Sequence, residues 1–294
     1  MSGRGASIMS QTTSLVTRFA PSPSGHLHLG HAYSALFAAR QSAGGRFLLR
    51  IEDIDQGRAR PDFEAAILED LAWLGLRWEE PVRRQSEHMA DYRAALDRLA
   101  AMGVVYPCFC TRRDIQREIA EAGQAPHGPD GPLYPGTCRG LSSDQRQARL
   151  AVGASHALRL DMVKAVALAG PLVWRELGEE GADQAVAADP LSLGDVVLAR
   201  KDVPTSYHLA VTLDDAVQGI TLVTRGEDLR HATHVHRLLQ ALLGLPVPRW
   251  RHHTLLCDET GRRLAKRHDA LSLRRLRESG KSAAEVRALA GFPD

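Results

Sequence analysis

The sequence RFAPSPSGHLHLGH, residues 18–31, decides the fold. The apolar run at residues 15–20 predicts a buried strand that ends at two prolines, and a helix is expected to begin at Gly30. A strand, tight turn and helix N-terminus in this order present oriented backbone N–H groups to a bound anion, and the imidazoles of His28 and His31 lie beside them. The stretch therefore predicts a phosphate site at the end of the first strand.

Strands and helices alternate along most of the chain. After the first helix, we predict strands at 46–51, 209–213 and 220–224 and helices at 61–76, 86–102 and 232–243. Between residues 104 and 140 the alternation stops, which indicates an insertion, and residues 157–202 predict a small mixed layer. The whole pattern is typical of an α/β fold with a parallel sheet.

The composition fits a soluble protein with one large or two modest domains. The chain has 294 residues, of which 44% are hydrophobic and 24% charged. No apolar run approaches the roughly 18 residues of a membrane span, and the first 11 residues lack a signal core, so we expect a cytoplasmic protein without membrane contact. Residues 249–281 contain eight Arg and two Lys against four acidic residues, which suits contact with nucleic acid or, equally, a solvated arginine-rich face.

Three further motifs follow the opening stretch in chain order: RIEDID at residues 50–55, YHLA at 207–210 with RGEDL at 225–229, and RLAKR at 263–267. Together the motifs resemble those of class I aminoacyl-tRNA synthetases, in which the opening stretch matches the HIGH signature and RLAKR matches the KMSKS loop. RFAPSPSG matches the glutamyl branch of that class. The resemblance implies a Rossmann-like catalytic domain with a zinc-containing insertion and a short C-terminal helical part.

The resemblance also implies a glutamate pocket. Arg18 and Arg225 would hold substrate carboxylates, because a planar guanidinium can donate two parallel hydrogen bonds to a carboxylate. Glu52 would meet the α-ammonium group of the substrate. The remaining pocket residues that the resemblance implies are Phe19, Ala20, Pro21, Ser22 and Tyr207.

The catalytic and ATP-binding residues implied by the resemblance are His28, Gly30, His31 and Lys266, with Mg²⁺ accompanying the ATP. The two histidines would stabilise the α-phosphate, and Lys266 would neutralise charge that moves to the leaving pyrophosphate. No general base is needed, because the attacking carboxylate is already ionised near neutral pH. The loop departs from the family pattern at Arg263 and Ala265, yet Lys266 is one of only four lysines in this arginine-rich chain.

Three of the four cysteines, Cys108, Cys110 and Cys138, are close together in the chain. Clustered thiols in a cytoplasmic protein indicate metal or redox chemistry rather than disulfides. The glutamyl-queuosine subgroup of the family carries a matching Cys-x-Cys and Tyr-x₃-Cys zinc site. The resemblance thus implies one structural Zn²⁺ held by the three cysteines and Tyr134, with His127 as the alternative fourth ligand. Three buried thiols without a metal are the other interpretation.

Only 27 residues follow Arg267, enough for one or two helices. Glutamyl-tRNA synthetases continue at this point into an anticodon-binding domain, whereas the glutamyl-queuosine subgroup consists of the catalytic half alone. That subgroup activates L-glutamate with ATP and transfers it to the queuosine base in the anticodon of tRNA(Asp), and we expect a monomer. Two alternatives remain, a truncated glutamyl-tRNA synthetase that charges tRNA(Glu) and a non-catalytic tRNA-binding zinc protein.

We therefore expect five segments along the chain. They are a flexible tail at 1–13, the first half of the catalytic domain at 14–103, the insertion with the zinc site at 104–200, the second half of the catalytic domain at 201–260, and the KMSKS-like loop with the C-terminal helical segment at 261–294.

Overall fold

A computed structural model describes residues 14–42, 44–121, 127–128, 131–178, 182–256 and 272–293. The strands in these ranges are β1 (Val16–Phe19), β2 (Arg46–Ile51), β3 (Glu79–Arg84), β4 (Val105–Cys108), β5 (His127–Gly128), β6 (Gly131–Pro132), β7 (Ala157–Leu160), β8 (Val173–Leu177), β9 (Asp183–Ala187), β10 (Val197–Ala199), β11 (Leu222–Gly226) and β12 (Arg249–His253). The helices are α1 (Leu29–Gln41), α2 (Pro61–Trp73), α3 (Met89–Ala101), α4 (Arg112–Glu121), α5 (Ser143–Ala151), α6 (Met162–Ala169), α7 (Tyr207–Val217), α8 (Ala232–Leu243), α9 (Leu273–Glu278) and α10 (Ala283–Leu289). The predicted α/β class is confirmed.

The central sheet is built from two distant parts of the chain. β2 pairs in parallel with β1 and β3, and β11 pairs in parallel with β12. The two parts meet where β1 lies beside β11: the Thr221 amide donates to the Val16 carbonyl (3.0 Å), and Nη1 of Arg18 donates to the Thr224 carbonyl (3.0 Å). Side by side, the strands run β3-β2-β1-β11-β12, so the strand order reverses between β1 and β11. Ligands of open α/β sheets bind beyond the carboxyl ends of the strands at such a point.

Alternate residues of β2 show that both faces of this sheet are covered. Phe47 and Leu49 pack in one cluster with α1, α2, α9 and α10, while Leu48 packs with Trp174 and Trp250 on the opposite face. A second large cluster joins α3, α6, α7 and α8 to β4 and β10. Because both faces are packed, the strand ends are held rigidly where a ligand would bind.

The strand predicted at 209–213 is wrong, since these residues form the middle of α7. The run is buried on all sides, so no polar face marks the helical period, and a short apolar run of this kind is ambiguous in sequence. Ser206 provides the start signal, because its Oγ accepts a hydrogen bond from the Leu209 amide (3.5 Å). The helical conformation brings the buried carboxylates of Asp214 and Asp215 toward arginines of the sheet.

The middle of the chain contributes to two sheets. β4, β7 and β10 form an antiparallel sheet of their own, whereas β8 pairs with β12 and β9 pairs with β8, which extends the central sheet. Near the C-terminus, where one or two helices were predicted, α9 and α10 pack against α1 and α2. None of the helices in the described ranges combines the length and apolar character needed to cross a bilayer.

Candidate active site

A cavity of about 250 Å³ opens at the carboxyl ends of β1 and β11. Nine residues that the sequence analysis assigns to the site line it: Arg18, Phe19, Ala20, His28, Gly30, His31, Glu52, Tyr207 and Arg225. Two others do not. Pro21 is buried, and its carbonyl accepts a hydrogen bond from the Glu52 amide (2.9 Å), while Ser22 lines a neighbouring cavity.

His28 and His31 form the N-terminus of α1 at one side of this cavity. Nδ1 of His28 accepts from the Gly30 amide (3.1 Å), and Nδ1 of His31 accepts from the His28 amide (3.2 Å). Because each Nδ1 is an acceptor, the neutral rings carry their protons on Nε2, which can donate. The first turn of α1 has no acidic residue, so the helix dipole favours an anion here.

Arg18 is fixed in the cavity wall by an acidic residue of α7. Its Nε and Nη2 donate to the Asp215 carboxylate (2.9 and 3.3 Å), and Nη1 donates to the Thr224 carbonyl. The fully buried Arg50 donates to the same Asp215 (2.8 Å). Burial acts to raise the pKa of Asp215, but Arg18 and Arg50 outweigh it and hold that pKa below its ordinary value. The described residues thus engage three of the five N–H donors of Arg18 and leave two for a ligand.

Arg225 differs from Arg18, because its hydrogen-bond partners in the described ranges are all neutral. Its Nε donates to Nε2 of His252 (3.2 Å), and its Nη1 donates to Nδ1 of His236 (3.2 Å). Tyr207 and Thr233 accept through their hydroxyl groups, the former at 3.4 Å. Burial lowers the pKa of the His236 imidazole well below its usual range, which keeps that partner uncharged. A buried cation with no carboxylate partner is costly, so this arrangement favours an anionic ligand.

Glu52 lies just after β2 and also faces the cavity. Nη2 of Arg50 donates to it at 3.4 Å. Burial raises the pKa of Glu52 to about 7, against the opposing effect of Arg50 and Arg18. The carboxyl group therefore changes its charge near neutral pH, and a cationic group of a ligand would favour its ionised form.

A second cavity, of about 390 Å³, lies on the other side of Glu52 and Tyr207, which line both cavities. Three serines contribute to its wall: Ser22, Ser24 and Ser206. Asp55 accepts from Nε of Arg58 (2.9 Å) and Nη1 of Arg200 (3.3 Å), and these two arginine side chains are 73% and 44% exposed. The lining thus mixes polar and apolar side chains. Both arginines at the rim are paired with acidic residues, since Nη2 of Arg200 also donates to Asp202 (2.9 Å).

Lys266 and the rest of RLAKR lie outside the described residues. The described chain on both sides of this segment reaches the first cavity. Leu255 and Leu256 line the cavity, and Ser272 pairs with His28 through an isolated antiparallel bridge. Both ends of the segment that contains Lys266 therefore lie at the site.

Sequence reasoning missed four residues that hold the two arginines: Asp215, Thr233, His236 and His252. Asp215 has a usable signal, because adjacent acidic residues that end an apolar run are unusual in a buried segment. The histidines have none, since a single sequence does not distinguish a buried imidazole from an exposed one.

The three clustered cysteines meet beside Tyr134. Their Sγ atoms all lie within 4.8 Å of one another, and those of Cys110 and Cys138 are 3.4 Å apart. Oη of Tyr134 lies 3.4 Å from Sγ of Cys108 and 3.6 Å from Sγ of Cys110. Tetrahedral zinc separates two sulfur ligands by roughly 3.8 Å and a sulfur from an oxygen by about 3.5 Å, given its usual bond lengths. The donor atoms therefore fit a zinc ion. The side chain of His127 lies outside the described residues.

The chain matches a family model and many known proteins. Residues 14–288 match the model for tRNA synthetases class I (E and Q), catalytic domain. A glutamyl-Q tRNA(Asp) synthetase from Rhodobacter capsulatus is 50% identical over 287 residues, which cover 95% of this chain and 100% of that relative. A glutamate–tRNA ligase 2 from Nitrosococcus oceani is 40% identical, and the match covers 91% of this chain but 57% of that relative.

Among solved structures, a glutamate tRNA ligase from Elizabethkingia meningosepticum in complex with its amino acid superposes with a TM-score of 0.71 at 27% identity. That match covers 91% of this chain, which spans about half (53%) of the length of the solved structure. Three observations point to the same family: the order of the strands, the two histidines at the start of α1 and the match to the family model. The chain belongs to the class I tRNA synthetases of the glutamyl and glutaminyl branch.

Proposed function

We propose that this protein activates L-glutamate with ATP and transfers the glutamyl group to the queuosine base in the anticodon of tRNA(Asp). The observation that carries the proposal is the buried Arg225, whose hydrogen-bond partners in the described ranges are all neutral. A γ-carboxylate supplies the missing negative charge, and the amide of glutamine does not. The relative from Rhodobacter capsulatus, with its 50% identity, supports the choice of acceptor.

In the first reaction the α-carboxylate of glutamate attacks the α-phosphorus of ATP. A P–O bond forms, the bond to the pyrophosphate leaving group breaks, and glutamyl-adenylate remains. Arg225 and Arg18 hold the γ-carboxylate in the interior, which directs the α-carboxylate toward the N-terminus of α1. There Nε2–H groups of His28 and His31 stabilise the charge on the α-phosphate, while Lys266 neutralises the pyrophosphate. A Mg²⁺ bound with the ATP would supply further positive charge. Catalysis then consists of positioning and charge stabilisation.

Glu52 binds the α-ammonium group of glutamate, and its titration gives a pH prediction. The pKa of Glu52 is raised to about 7, so the carboxyl is largely protonated at about pH 6 and ionised at about pH 8. Only the ionised form pairs with an ammonium group. We therefore expect the dissociation constant for glutamate, measured by calorimetry, to fall as the pH rises through about 7, with proton release on binding below that pH. Glu52→Gln should remove this pH dependence, and a constant affinity in the wild type between these pH values would contradict the role.

In the second reaction a hydroxyl group of the queuosine cyclopentene diol attacks the carbonyl carbon of the adenylate. The new ester C–O bond replaces the bond from that carbon to the phosphate oxygen, and AMP leaves with the hydroxyl proton on its phosphate. The second cavity suits this acceptor, because it adjoins the glutamate site across Glu52 and Tyr207. Its serine hydroxyls match a diol, and Arg58 and Arg200 lie where the RNA backbone would approach. We infer that the protein performs both steps as a monomer.

Arg200→Ala tests this acceptor site. We expect the KM for queuosine-containing tRNA(Asp) to rise about 5- to 10-fold, the effect of one lost phosphate contact, while glutamate-dependent pyrophosphate exchange stays unchanged. The matched control is Arg175→Ala, which removes another exposed arginine that pairs with an aspartate, Asp183 (3.0 Å). Equal effects of the two substitutions on the KM for tRNA would contradict the assignment.

The cysteine cluster is proposed to hold one structural Zn²⁺ through Cys108, Cys110, Cys138 and Tyr134. Cys138→Ser is expected to lose the metal and to lower the melting temperature by about 3–5 °C, the shift that 2–3 kcal/mol produces in a chain of this size. Elemental analysis and thermal unfolding measure both effects. The control is Cys257→Ser, at the fourth cysteine of the chain, which lies outside the cluster in sequence and outside the described residues; this variant should keep its zinc. One zinc per chain in Cys138→Ser would contradict the ligand set.

Transfer of labelled glutamate tests the proposed function. Queuosine-containing tRNA(Asp), unmodified tRNA(Asp) and tRNA(Glu) are compared, and nuclease digestion locates the label. We expect label only on the anticodon fragment of the modified tRNA(Asp). Label on the acceptor end of tRNA(Glu) would instead favour a truncated glutamyl-tRNA synthetase, the activity named for the relative from Nitrosococcus oceani. Failure of both glutamate activation and transfer would favour a non-catalytic RNA-binding protein.

A further inference from the structure

Three neighbouring strands carry a row of polar side chains that ends at Arg225. In the parallel pairing of β11 with β12, Arg225 is the register partner of His252. In the pairing of β12 with β8, Trp250 is the register partner of Glu176. Glu176 is thus two residues out of register with His252 and reaches it through side-chain hydrogen bonds, so the row Glu176, His252, Arg225 runs diagonally across three strands and ends at the cavity wall.

The hydrogen bonds in this row fix the proton positions. Nδ1 of His252 lies 2.9 and 3.0 Å from the two carboxylate oxygens of Glu176, and the His252 amide donates to the same carboxylate (3.0 Å). Nε of Arg225 can only donate, so Nε2 of His252 must accept. His252 is thus neutral, with its proton on Nδ1. Burial acts to raise the pKa of Glu176, but the hydrogen bonds from His252 outweigh burial and lower the pKa to about 2, so the carboxylate stays ionised.

This arrangement separates a carboxylate from the arginine that it supports. The Glu176 carboxylate accepts the Nδ1–H of His252, and Nε of Arg225 donates to Nε2 on the other edge of that imidazole. If Glu176 bound Arg225 directly, it would occupy the guanidinium and compete with a substrate carboxylate. With the imidazole of His252 between them, the Arg225 side chain is still held in one orientation, and its guanidinium can pair with a ligand carboxylate.

We propose that Glu176 and His252 are positioning residues for glutamate recognition, in which Glu176 holds His252 in the Nδ1–H tautomer and His252 aims Arg225 into the cavity. The proposal rests on the proposed function as far as the identity of the ligand is concerned. The tautomer itself is a property of the free protein and is tested without any substrate.

Two substitutions of His252 distinguish the role of its Nε2 from that of its Nδ1. The amide of glutamine reaches the position of Nε2 and can offer an oxygen to Arg225, whereas the shorter asparagine reaches only the position of Nδ1. We expect His252→Asn to raise the KM for glutamate in pyrophosphate exchange about 10- to 100-fold, the effect of losing a hydrogen bond to a charged group. His252→Gln should recover most of this loss. In both variants the KM for ATP should stay within about twofold of the wild type.

Glu176→Gln tests the other end of the row, because it keeps the shape and removes the charge. We expect it to raise the KM for glutamate about 10-fold, again without a change in the KM for ATP. Two controls report on general loss of packing. Asp183→Asn neutralises a carboxylate of β9 next to β8, and His234→Gln replaces a half-buried imidazole of α8 that packs on Trp174 (4.8 Å between ring centroids). Neither control should alter the KM for glutamate.

Nitrogen-15 NMR of histidine-labelled protein reads the tautomer directly. The resonances absent from His252→Gln identify His252 in the wild-type spectrum, and we expect them to show the neutral Nδ1–H form without ligand. A neutral Nε2–H form, or an imidazolium, would overturn the proposal even if glutamate is the substrate. Equal KM values for His252→Asn and His252→Gln, or parallel increases in the KM for glutamate and ATP, would overturn it as well. A wild-type protein that shows this tautomer but no glutamate-dependent exchange would refute the proposed function and leave the positioning of Arg225 standing.

Discussion

Arg225→Leu is expected to lower kcat/KM for glutamate in pyrophosphate exchange by about a thousandfold. The substitution removes the buried cation that we propose pairs with the γ-carboxylate, and losing one partner of a buried, hydrogen-bonded charge pair costs several kcal/mol. Arg225→Lys keeps the charge but loses the planar fork, so it should give an intermediate loss. Steady-state exchange at varied glutamate concentration measures both effects.

Arg237→Leu is the matched control for this prediction. Arg237 lies on α8, and its Nε donates to the Val173 carbonyl (2.9 Å), away from the residues that line the cavity. Its replacement should leave kcat/KM for glutamate within about twofold of the wild type, because no substrate charge depends on it. A small effect of Arg225→Leu in a protein that still folds would contradict the assigned carboxylate site.

Lys266→Ala is expected to slow adenylate formation by roughly 10²- to 10³-fold, the effect of removing one group that stabilises charge in a transition state. The loss should fall on kcat, and the KM for glutamate should change little, because Lys266 would act on the pyrophosphate. Rapid-quench measurement of glutamyl-adenylate formation separates this step from later ones.

Lys281→Ala is the control for Lys266, since Lys281 is another of the four lysines and pairs with Glu285 (3.9 Å) on the surface. It should leave the rate unchanged. If Lys266→Ala also leaves the rate unchanged, Lys266 has no catalytic role in this chain, despite the resemblance of RLAKR to the KMSKS loop.

The two arginines of the site show how the fold prepares it for an acid. Arg18 pairs with the Asp215 carboxylate, which also binds Arg50, so a negative charge lies beside this arginine before any ligand enters. Among the described residues, the hydrogen-bond partners of Arg225 are neutral. A substrate carboxylate bound there would give this buried cation a charged partner.

The helix at 232–243 was predictable because its sequence repeats a clear period, and it coincides with α8. The strand at 46–51 also coincides with β2, although its short apolar run has no period of its own. α7 was not predictable in this way, since burial on every side removes the stripe. The pairing of β8 with β12 depends on contacts between distant residues, which no local pattern contains.

The site residues that belong to a recognisable sequence motif were predictable, and the others were not. Arg18, Glu52 and Arg225 come from three separate motifs, and the structure brings them to one cavity. Several hydrogen-bond partners of the two arginines lie outside the motifs. Asp215 and His252 are adjacent to the arginines only because α7 and β12 pack there, so their roles follow from tertiary structure and not from spacing in the chain.

Pyrophosphate exchange by the purified protein, with ATP, Mg²⁺ and glutamate but without any RNA, tests the central claim most directly. The account predicts exchange that depends on glutamate and is absent with glutamine, because Arg225 is proposed to bind a γ-carboxylate and no RNA group is needed for the first reaction. Exchange that requires tRNA, or that proceeds equally with glutamine, would contradict it.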